Sequence, residues 1–226
     1  MTNNHQNDQS IEINSKTVKE YGLNSGASIV GIAASKDFGL APDGFKPSDK
    51  LEGCLSVVVL GAPFPREALL KNTVEYTEIR NEMVKKMDDI AKEVSKHITS
   101  KGFKAKVITS VGAKGYKGAI SLKHAAELAG LGIINRNYLL TNPEYGNLLF
   151  LSAVLTDADL TPDKKAEYTV CNKCNNCVNV CPAKALDNPD LFNQKECAKI
   201  CVKFVGKLEL KCFLCRKVCP YCYGKF

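Results

Sequence analysis

Residues 171–182 read CNKCNNCVNVCP, and residues 212–220 read CFLCRKVCP. In the first stretch, three cysteines stand at two-residue spacing, and a fourth follows three residues later, directly before a proline. Two-cluster bacterial proteins use this spacing, because three of the thiolates bind one cubane and the fourth binds the other. The sequence therefore predicts a small C-terminal module that carries two 4Fe-4S clusters.

The second stretch matches only the last three cysteines of the pattern, because Glu209 stands where the first would fall. The missing thiolate must come from upstream, where Cys197 and Cys201 are both available. Ligand exchange between the two runs predicts two groups. The first group is Cys171, Cys174, Cys177 and Cys219. The second group is Cys181, Cys212 and Cys215, completed by either Cys197 or Cys201.

Zinc is the alternative occupant, because four thiolates also satisfy a tetrahedral site. Zinc ribbons usually pair two C-x2-C knuckles, so three close cysteines followed by C-P favour cubanes. Cys222 and the unused member of the Cys197/Cys201 pair are then spare. A spare cysteine could be a substitute ligand, an extra redox thiol or an unpaired surface cysteine, and for Cys222 we expect the last. Cys54, which precedes an apolar run, is expected to be a small buried residue rather than a nucleophile.

Composition limits the class of protein. The 226 residues are 45% hydrophobic, which suits one ordinary packed domain and one small one. The start, MTNNHQNDQS, is polar, and no stretch reaches the roughly 18 consecutive apolar residues of a spanning helix, so we expect a cytoplasmic protein without membrane contact. Ten of the 11 cysteines lie at 171–222, which in an unexported chain indicates metal binding rather than disulfides.

The net charge of +7 is partly local, since residues 195–226 hold eight Lys or Arg and two acidic residues. Two oxidised cubanes with their cysteinates would carry roughly four negative charges in total. We therefore interpret the basic residues as compensation for anionic clusters, and we expect no nucleic-acid partner.

Residues 11–157 show a mixed pattern of strands and helices. Short runs rich in Val, Ile and Leu predict buried strands at 27–34, 55–61, 104–109 and 148–156. Apolar residues at spacings of three and four predict a core-facing helix over 67–101. A shorter helix is predicted over 121–129 with Ser121 as its N-cap, and 135–146 is predicted as a loop.

The polar segment TPDKKAE at 161–167 predicts a domain boundary. We expect a disordered N-terminus at 1–10, an α/β domain at 11–165 and a ferredoxin-like domain at 166–226. The predicted fold class is therefore α+β or α/β, with a small two-cluster module after a mixed domain.

Residues 122–160, LKHAAELAGLGIINRNYLLTNPEYGNLLFLSAVLTDADL, are followed closely by CNKCNNCVNVCPAKAL. Together they resemble the signature of the epoxyqueuosine reductase and reductive dehalogenase superfamily. YGLNSGASIVGIA at 21–33 and LEGCLSVVVLG at 51–61 resemble its N-terminal strands. The resemblance covers most of the chain and implies a nitroreductase-like α/β domain that holds a cobalamin, reduced through two adjacent 4Fe-4S clusters.

The same resemblance suggests residues for a cofactor surface and for proton delivery. The loop residues placed against a corrinoid are Gly130, Leu131, Gly132, Asn142, Tyr145 and Gly146. The glycines would let the backbone approach a large planar ligand, and helix termination with an ordinary turn is the alternative explanation. The candidate proton donors are Tyr116, Lys123 and His124, each of which has a purely structural alternative.

Three departures from the family pattern bear on the substrate. Ile134, Asn135 and Arg136 replace the usual glycine-lysine after the A-G-L-G turn. No aspartate stands at 119–121, near where the epoxyqueuosine enzymes carry one, and a C-terminal helical repeat region that would recognise tRNA is missing. These departures predict a substrate other than tRNA epoxyqueuosine, and the lack of a twin-arginine leader argues against an exported dehalogenase.

Three functions follow from these observations. The first is a cytoplasmic corrinoid-dependent reductase of an anaerobe, which takes electrons from a low-potential donor such as ferredoxin or flavodoxin and acts on a small molecule. The second is a cofactor-free electron carrier or reductive activator whose basic face docks on an acidic partner enzyme. The third is a reductase with FMN in the same α/β domain.

Overall fold

The computed structural model describes residues 13–110, 118–205 and 207–225. The predicted disordered terminus at 1–10 lies outside these ranges. The α-helices are α1 Ser15–Asn24, α2 Thr73–Ser100, α3 Leu122–Leu128, α4 Asn176–Asn179, α5 Gln194–Cys201 and α6 Leu214–Lys217. The strands are β1 Ile29–Ala34, β2 Ser56–Pro63, β3 Ala105–Ile108, β4 Ile133–Ile134, β5 Leu140–Thr141, β6 Leu149–Thr156, β7 Val202–Val205 and β8 Lys207–Leu210.

A four-stranded antiparallel sheet, in the order β1-β2-β6-β3, forms the middle layer of the N-terminal region. Side chains alternate between the two faces of a strand, so a central strand can be apolar throughout. In β2, Val58 and Leu60 join one hydrophobic cluster, whereas Val57 and Val59 join another. The apolar run of β2 is continuous because both faces of this strand are covered.

Helices cover both faces of this sheet. On one face, α2 buries Met87, Val94 and Ile98 against the sheet, and α1 packs beside α2. On the other face, α3 buries Ala125 and Ala126. The mixed α/β architecture expected from the sequence is confirmed.

The predicted strands and helices lie where the sequence places them, with shifted ends. Helix α2 begins at Thr73, where Asn72 accepts hydrogen bonds from the Val74 and Glu75 amides, and a short 3-10 turn, Arg66–Leu70, precedes it. The predicted helix start at residue 67 was therefore wrong, because the Asn72 cap sets the first turn. The segment predicted as a loop, 135–146, contains β5, which pairs with β4.

Helix α1 was not predicted from the sequence, in which the first predicted element was the strand at 27–34. Its first turn is closed by a capping box between Asn14 and Thr17. Only Val18 and Gly22 of α1 are buried. A helix with so narrow an apolar face has little of the apolar periodicity from which a helix is predicted in a sequence.

We call the sheet β1-β2-β6-β3 together with α1, α2 and α3 the α/β layer. Residues 161–170 have no regular secondary structure and contact this layer. Asp163 forms an ion pair with Lys19, accepts a hydrogen bond from the Ile32 amide at 2.8 Å and donates its own amide to the Ile32 carbonyl. The polar segment is therefore fastened to β1 and α1.

None of the helices in the described ranges combines the length and the hydropathy needed to cross a bilayer.

Candidate functional site

The first cysteine run winds through left-handed backbone before it enters a single helical turn. Lys173 and Asn175 both have φ 59°, a conformation that is uncommon outside glycine. Helix α4 then carries Cys177, and Cys181 follows it with its amide bonded to the Val178 carbonyl at 3.1 Å. These tight turns bring thiols that are close in sequence onto one side of the backbone.

A β-hairpin that the sequence did not indicate organises the second run. Strands β7 and β8 pair antiparallel, so the end of α5 lies beside the start of the C-x2-C segment. The Lys211 amide donates to the Cys201 carbonyl at 2.7 Å, directly before Cys212. The hairpin therefore supplies the upstream cysteines that the second run lacks.

Cysteines of the two runs lie close enough to act on the ionisation of Cys177 and Cys219. Burial raises the pKa of Cys177, and the Cys171 and Cys219 thiolates raise it further. Burial also raises the pKa of Cys219, with added repulsion from Cys171 and Cys174. We call this set the outer group, because Cys174 is exposed; its members are Cys171, Cys174, Cys177 and Cys219.

The remaining cysteines of the two runs line a cavity of about 130 Å³. We call them the inner group: Cys181, Cys212 and Cys215, with Cys197 and Cys201 as alternatives for the fourth position. Burial raises the pKa of Cys215 to about 12. In the described ranges, no three Cys, His, Asp or Glu side chains converge on a point that would hold a single metal ion.

The cavity does not distinguish Cys197 from Cys201. Both lie on α5 and line the cavity, and their Sγ atoms are 3.5 Å apart. Their shared hydrogen bond raises the pKa of Cys197 and lowers that of Cys201. If one of the two is a cluster ligand, the other thiol therefore lies directly beside it.

Two buried asparagines connect the α/β layer to residues 171–225, which we call the cysteine segment. The sequence analysis predicted a role for neither asparagine. Asn137 Nδ2 donates to the Cys215 carbonyl at 3.3 Å, and Asn147 Nδ2 donates to the Arg216 carbonyl at 3.4 Å. Both side chains are under 5% exposed. Asparagine in a loop is usually a turn residue, so the sequence carried no signal for this role.

Cys222 is buried, which corrects the expectation of a surface cysteine. It is 1% exposed, and its Sγ donates to Asn147 Oδ1 at 3.4 Å. The reason is the last turn of the chain, where the Cys222 carbonyl accepts from the Asn147 amide and covers Gly146. Cys54 is buried in the core at 6% exposure, as expected.

The six residues predicted to face a corrinoid lie in adjoining segments. Asn142 Nδ2 donates to the Leu131 carbonyl at 2.8 Å, and Asn142 and Gly146 exchange backbone hydrogen bonds. The space beside each glycine is filled by this chain: Lys164 beside Gly130, Thr141 beside Gly132 and Cys222 beside Gly146. Tyr145 borders a second cavity of about 220 Å³. Contact of these residues with a corrinoid stays a prediction.

The three candidate proton donors have different surroundings. Tyr116 lies outside the described residues. Lys123 lines the inner-group cavity, and burial lowers its pKa. His124 is exposed, and its Nδ1 is 2.6 Å from Ser121 Oγ. The Ser121 hydroxyl therefore contacts a side chain and makes no capping bond to the helix backbone.

The chain resembles curated epoxyqueuosine reductases. It is 27% identical over 204 residues to the enzyme of Lactococcus garvieae, an alignment that covers 79% of this chain and 55% of that protein. It is 33% identical over 119 residues to the enzyme of Bacillus subtilis, covering 48% of this chain and 31% of that protein. The chain therefore aligns with about half of one relative and a third of the other. No family model matches it.

Solved structures show the same fold. A crystal structure of epoxyqueuosine reductase with a tRNA-Tyr stem loop superposes with a TM-score of 0.65 at 21% identity, covering 93% of this chain and 65% of that one. A reductive dehalogenase structure described in terms of B12-dependent dehalogenation superposes with a TM-score of 0.60 at 20% identity, covering 86% and 27%. The expected resemblance is confirmed. The chain is similar in sequence to the epoxyqueuosine reductases, and it shares its fold with those enzymes and with the reductive dehalogenases.

Proposed function

We propose that this chain is an iron–sulfur oxidoreductase that holds two 4Fe-4S clusters and passes single electrons to an acceptor on its α/β layer. The observation that carries the proposal is the sorting of the cysteines into an outer and an inner group, each drawing on both runs. Ligand exchange between runs is the arrangement of two-cluster ferredoxins. Residues 166–226 would then form a ferredoxin-like domain beside a nitroreductase-like domain at 11–165.

The donor chemistry fits cubanes. Each group offers four thiolates, which are the usual ligands of a 4Fe-4S cluster, and the inner group surrounds a cavity rather than a point. When bound, the clusters would supply one-electron transfer. The protein would hold the inner cluster away from solvent and leave the outer group accessible at Cys174. We therefore propose that a low-potential donor, such as ferredoxin or flavodoxin, docks beside the outer group.

The acceptor is proposed from the relatives, and cobalamin is the first candidate. The two cavities described here measure about 130 and 220 Å³, below the roughly 300–1,000 Å³ of pockets that enclose a drug-sized ligand. Neither cavity fits an enclosed corrin or an enclosed FMN. A macrocycle would therefore have to lie on an open face of the α/β layer.

Metal analysis of the anaerobically purified protein tests the proposal. We expect about eight irons and eight acid-labile sulfides per chain. Cys215→Ser and Cys219→Ser should each lose about four irons, whereas Cys54→Ser, which changes a buried cysteine outside both groups, should keep about eight. Zinc in place of iron, or full iron retention in Cys215→Ser and Cys219→Ser, would contradict the proposal.

The same samples test for the acceptor. Incubation with hydroxocobalamin and reductant, followed by desalting, should leave near-stoichiometric cobalt if the chain is a corrinoid-dependent reductase acting on a small molecule. A flavin spectrum after acid release would instead identify FMN. Retention of neither would favour the second candidate function.

That second candidate is an electron carrier or reductive activator, and a surface feature favours it. Phe204 is 69% exposed and Ile200 46% exposed, and lysines 195, 199 and 203 are exposed around them. Apolar side chains rimmed by one sign of charge suit docking on an acidic protein. Lys203→Glu should slow reduction of such a partner at low salt and lose its effect at high salt, whereas Lys92→Glu on α2 should not.

We propose that nucleic acid is not a partner of this chain. A solved neighbour binds a tRNA stem loop. In this chain the excess of positive charge lies mainly at residues 195–226, beside the cysteines, where we interpret it as compensation for anionic clusters. A gel-shift titration with tRNA at physiological salt should show no complex. We also propose a reducing, cytoplasmic location, since exposed thiols such as Cys174 need one.

A further inference from the structure

Lys123 is placed among thiols rather than carboxylates. It lies on α3, in the α/β layer, and lines the inner-group cavity together with Cys181, Cys197, Cys201, Cys212 and Cys215. The cavity wall is otherwise largely apolar, with Leu139, Leu186 and Phe192 among its residues. An ammonium group in such a wall has lost much of its water.

The direct contacts of Lys123 do not supply a negative charge. Its Nζ donates a short hydrogen bond to the Tyr138 carbonyl and lies 5.5 Å from the centre of the Phe192 ring. Across residues 13–110, 118–205 and 207–225, it forms no ion pair with Asp or Glu. Buried charges in folded proteins are paired, because desolvation of an isolated ammonium is unfavourable.

Among the described residues, the groups that can carry negative charge near Lys123 are inner-group thiolates. Cys215 acts on Lys123 more strongly than Cys197, and the Arg216 cation opposes them. Four cysteinates and an oxidised cubane together carry a charge of about −2, and one added electron makes it about −3. A fixed positive charge at the cavity wall favours the more negative state.

We propose that Lys123 is the built-in counter-charge of the inner group and raises the reduction potential of a cluster held there. This inference rests on the proposed function. It makes Lys123 a positioning residue that acts through charge, which differs from the proton-donor role suggested by the family resemblance.

Among residues 13–110, 118–205 and 207–225, the main groups that shift the pKa values of Cys177 and Cys219 include no lysine. Arg136 acts on Cys177, but its guanidinium donates to the Asp187 and Asn188 carbonyls at 3.3 Å. Arg216 also acts on Cys215, but it lies 5.7 Å from the centre of the Phe64 ring and does not line the cavity. A substitution of Lys123 should therefore shift the reduction potential of a cluster in the inner group without shifting that of a cluster in the outer group.

The test is an anaerobic redox titration with dithionite and mediators, monitored by EPR, on the full chain. Lys123→Met keeps the length of the side chain and removes its charge, whereas Lys123→Arg keeps the charge. Lys217→Met, an exposed lysine on α6, is the matched control. The signal that disappears in Cys215→Ser identifies the inner cluster.

We expect Lys123→Met to lower the midpoint potential of the inner cluster alone, Lys123→Arg to restore it, and Lys217→Met to leave both potentials unchanged. If Lys123→Met loses about four irons while Lys123→Arg keeps about eight, the counter-charge role is also supported. Unchanged potentials in a fully loaded Lys123→Met, or equal losses in the Met and Arg variants, overturn it. Absence of cubanes in the unmodified chain would instead be a failure of the proposed function.

Discussion

The α/β layer and the cysteine segment are stabilised in different ways. In the α/β layer, Val57, Val58, Val59 and Leu60 of β2 are completely buried, and helices cover both faces of the sheet. In residues 171–225, few side chains are buried, among them Ala185, Leu186 and Cys222, and helices α5 and α6 bury none. The first region has an apolar core of its own. The second has little apolar area and many thiols.

This difference indicates where the proposed clusters would contribute to folding. Small domains with little buried apolar surface usually depend on metals or disulfides. Free energy of metal binding becomes folding free energy when the unfolded chain has no preformed site. We therefore expect the clusters to hold the cysteine segment together, and the α/β layer to fold without them.

Cluster removal should show the largest contrast between the two regions. After chelation and oxidation, we expect amides of α5, β7, β8 and α6 to exchange at rates typical of frayed segments, while those of β2 and β6 stay protected. Hydrogen exchange with mass spectrometry measures both in one sample. Equal protection of both regions in the metal-free protein would show that the cysteine segment folds on apolar packing alone.

A core cavity should weaken the α/β layer without changing the metal content. Met87 is completely buried on α2, so Met87→Ala should cost about 2–5 kcal/mol of unfolding free energy. The control Leu70→Ala changes a side chain that is 79% exposed and should stay within about 0.5 kcal/mol. Denaturant titration and iron analysis are the measurements. Loss of iron from a folded Met87→Ala variant would break the separation of the two regions.

An aromatic stack joins the two regions and should couple them. The rings of Tyr76 on α2 and Phe213 beside Cys212 are 4.0 Å apart with an interplanar angle of 10°. A double-mutant cycle with Tyr76→Leu and Phe213→Leu should give a coupling energy of about 0.5–1.5 kcal/mol. A coupling near zero would mean that the cysteine segment contributes nothing to the stability of the α/β layer through this contact.

A small pH effect should belong to the α/β layer alone. Burial lowers the pKa of His97, whose ring stacks on Tyr21 with centroids 4.0 Å apart. The unfolded chain then binds a proton more readily than the folded one, so stability falls as pH drops through the ordinary histidine range near 6.5. NMR titration should place the His97 pKa below that range. A value at or above it would contradict the burial argument, and His97→Gln should reduce the pH dependence of unfolding.

The predictability of the site follows the same division. The C-x2-C-x2-C-x3-C-P spacing is a local property, so the sequence alone defines the first cysteine run. That Cys219 completes the ligand set of Cys171, Cys174 and Cys177 stays a prediction from the two-cluster pattern. The inner group depends on the β7–β8 hairpin, and the spacing of the cysteines does not indicate that residues 202–205 pair with residues 207–210. Helix α1 was not predicted because only Val18 and Gly22 form its buried face.

The sequence by itself determined the mixed α/β region, the cysteine runs and the family resemblance, because strand periodicity and ligand spacing are short-range patterns that survive without tertiary contacts. Only the tertiary structure decided that Cys222 is buried, that Asn137 and Asn147 hold the cysteine segment, and that Lys123 lies in a cavity lined by thiols. Each of these depends on residues more than 50 positions apart in the chain, and burial at such contacts is set by packing between segments rather than by local spacing.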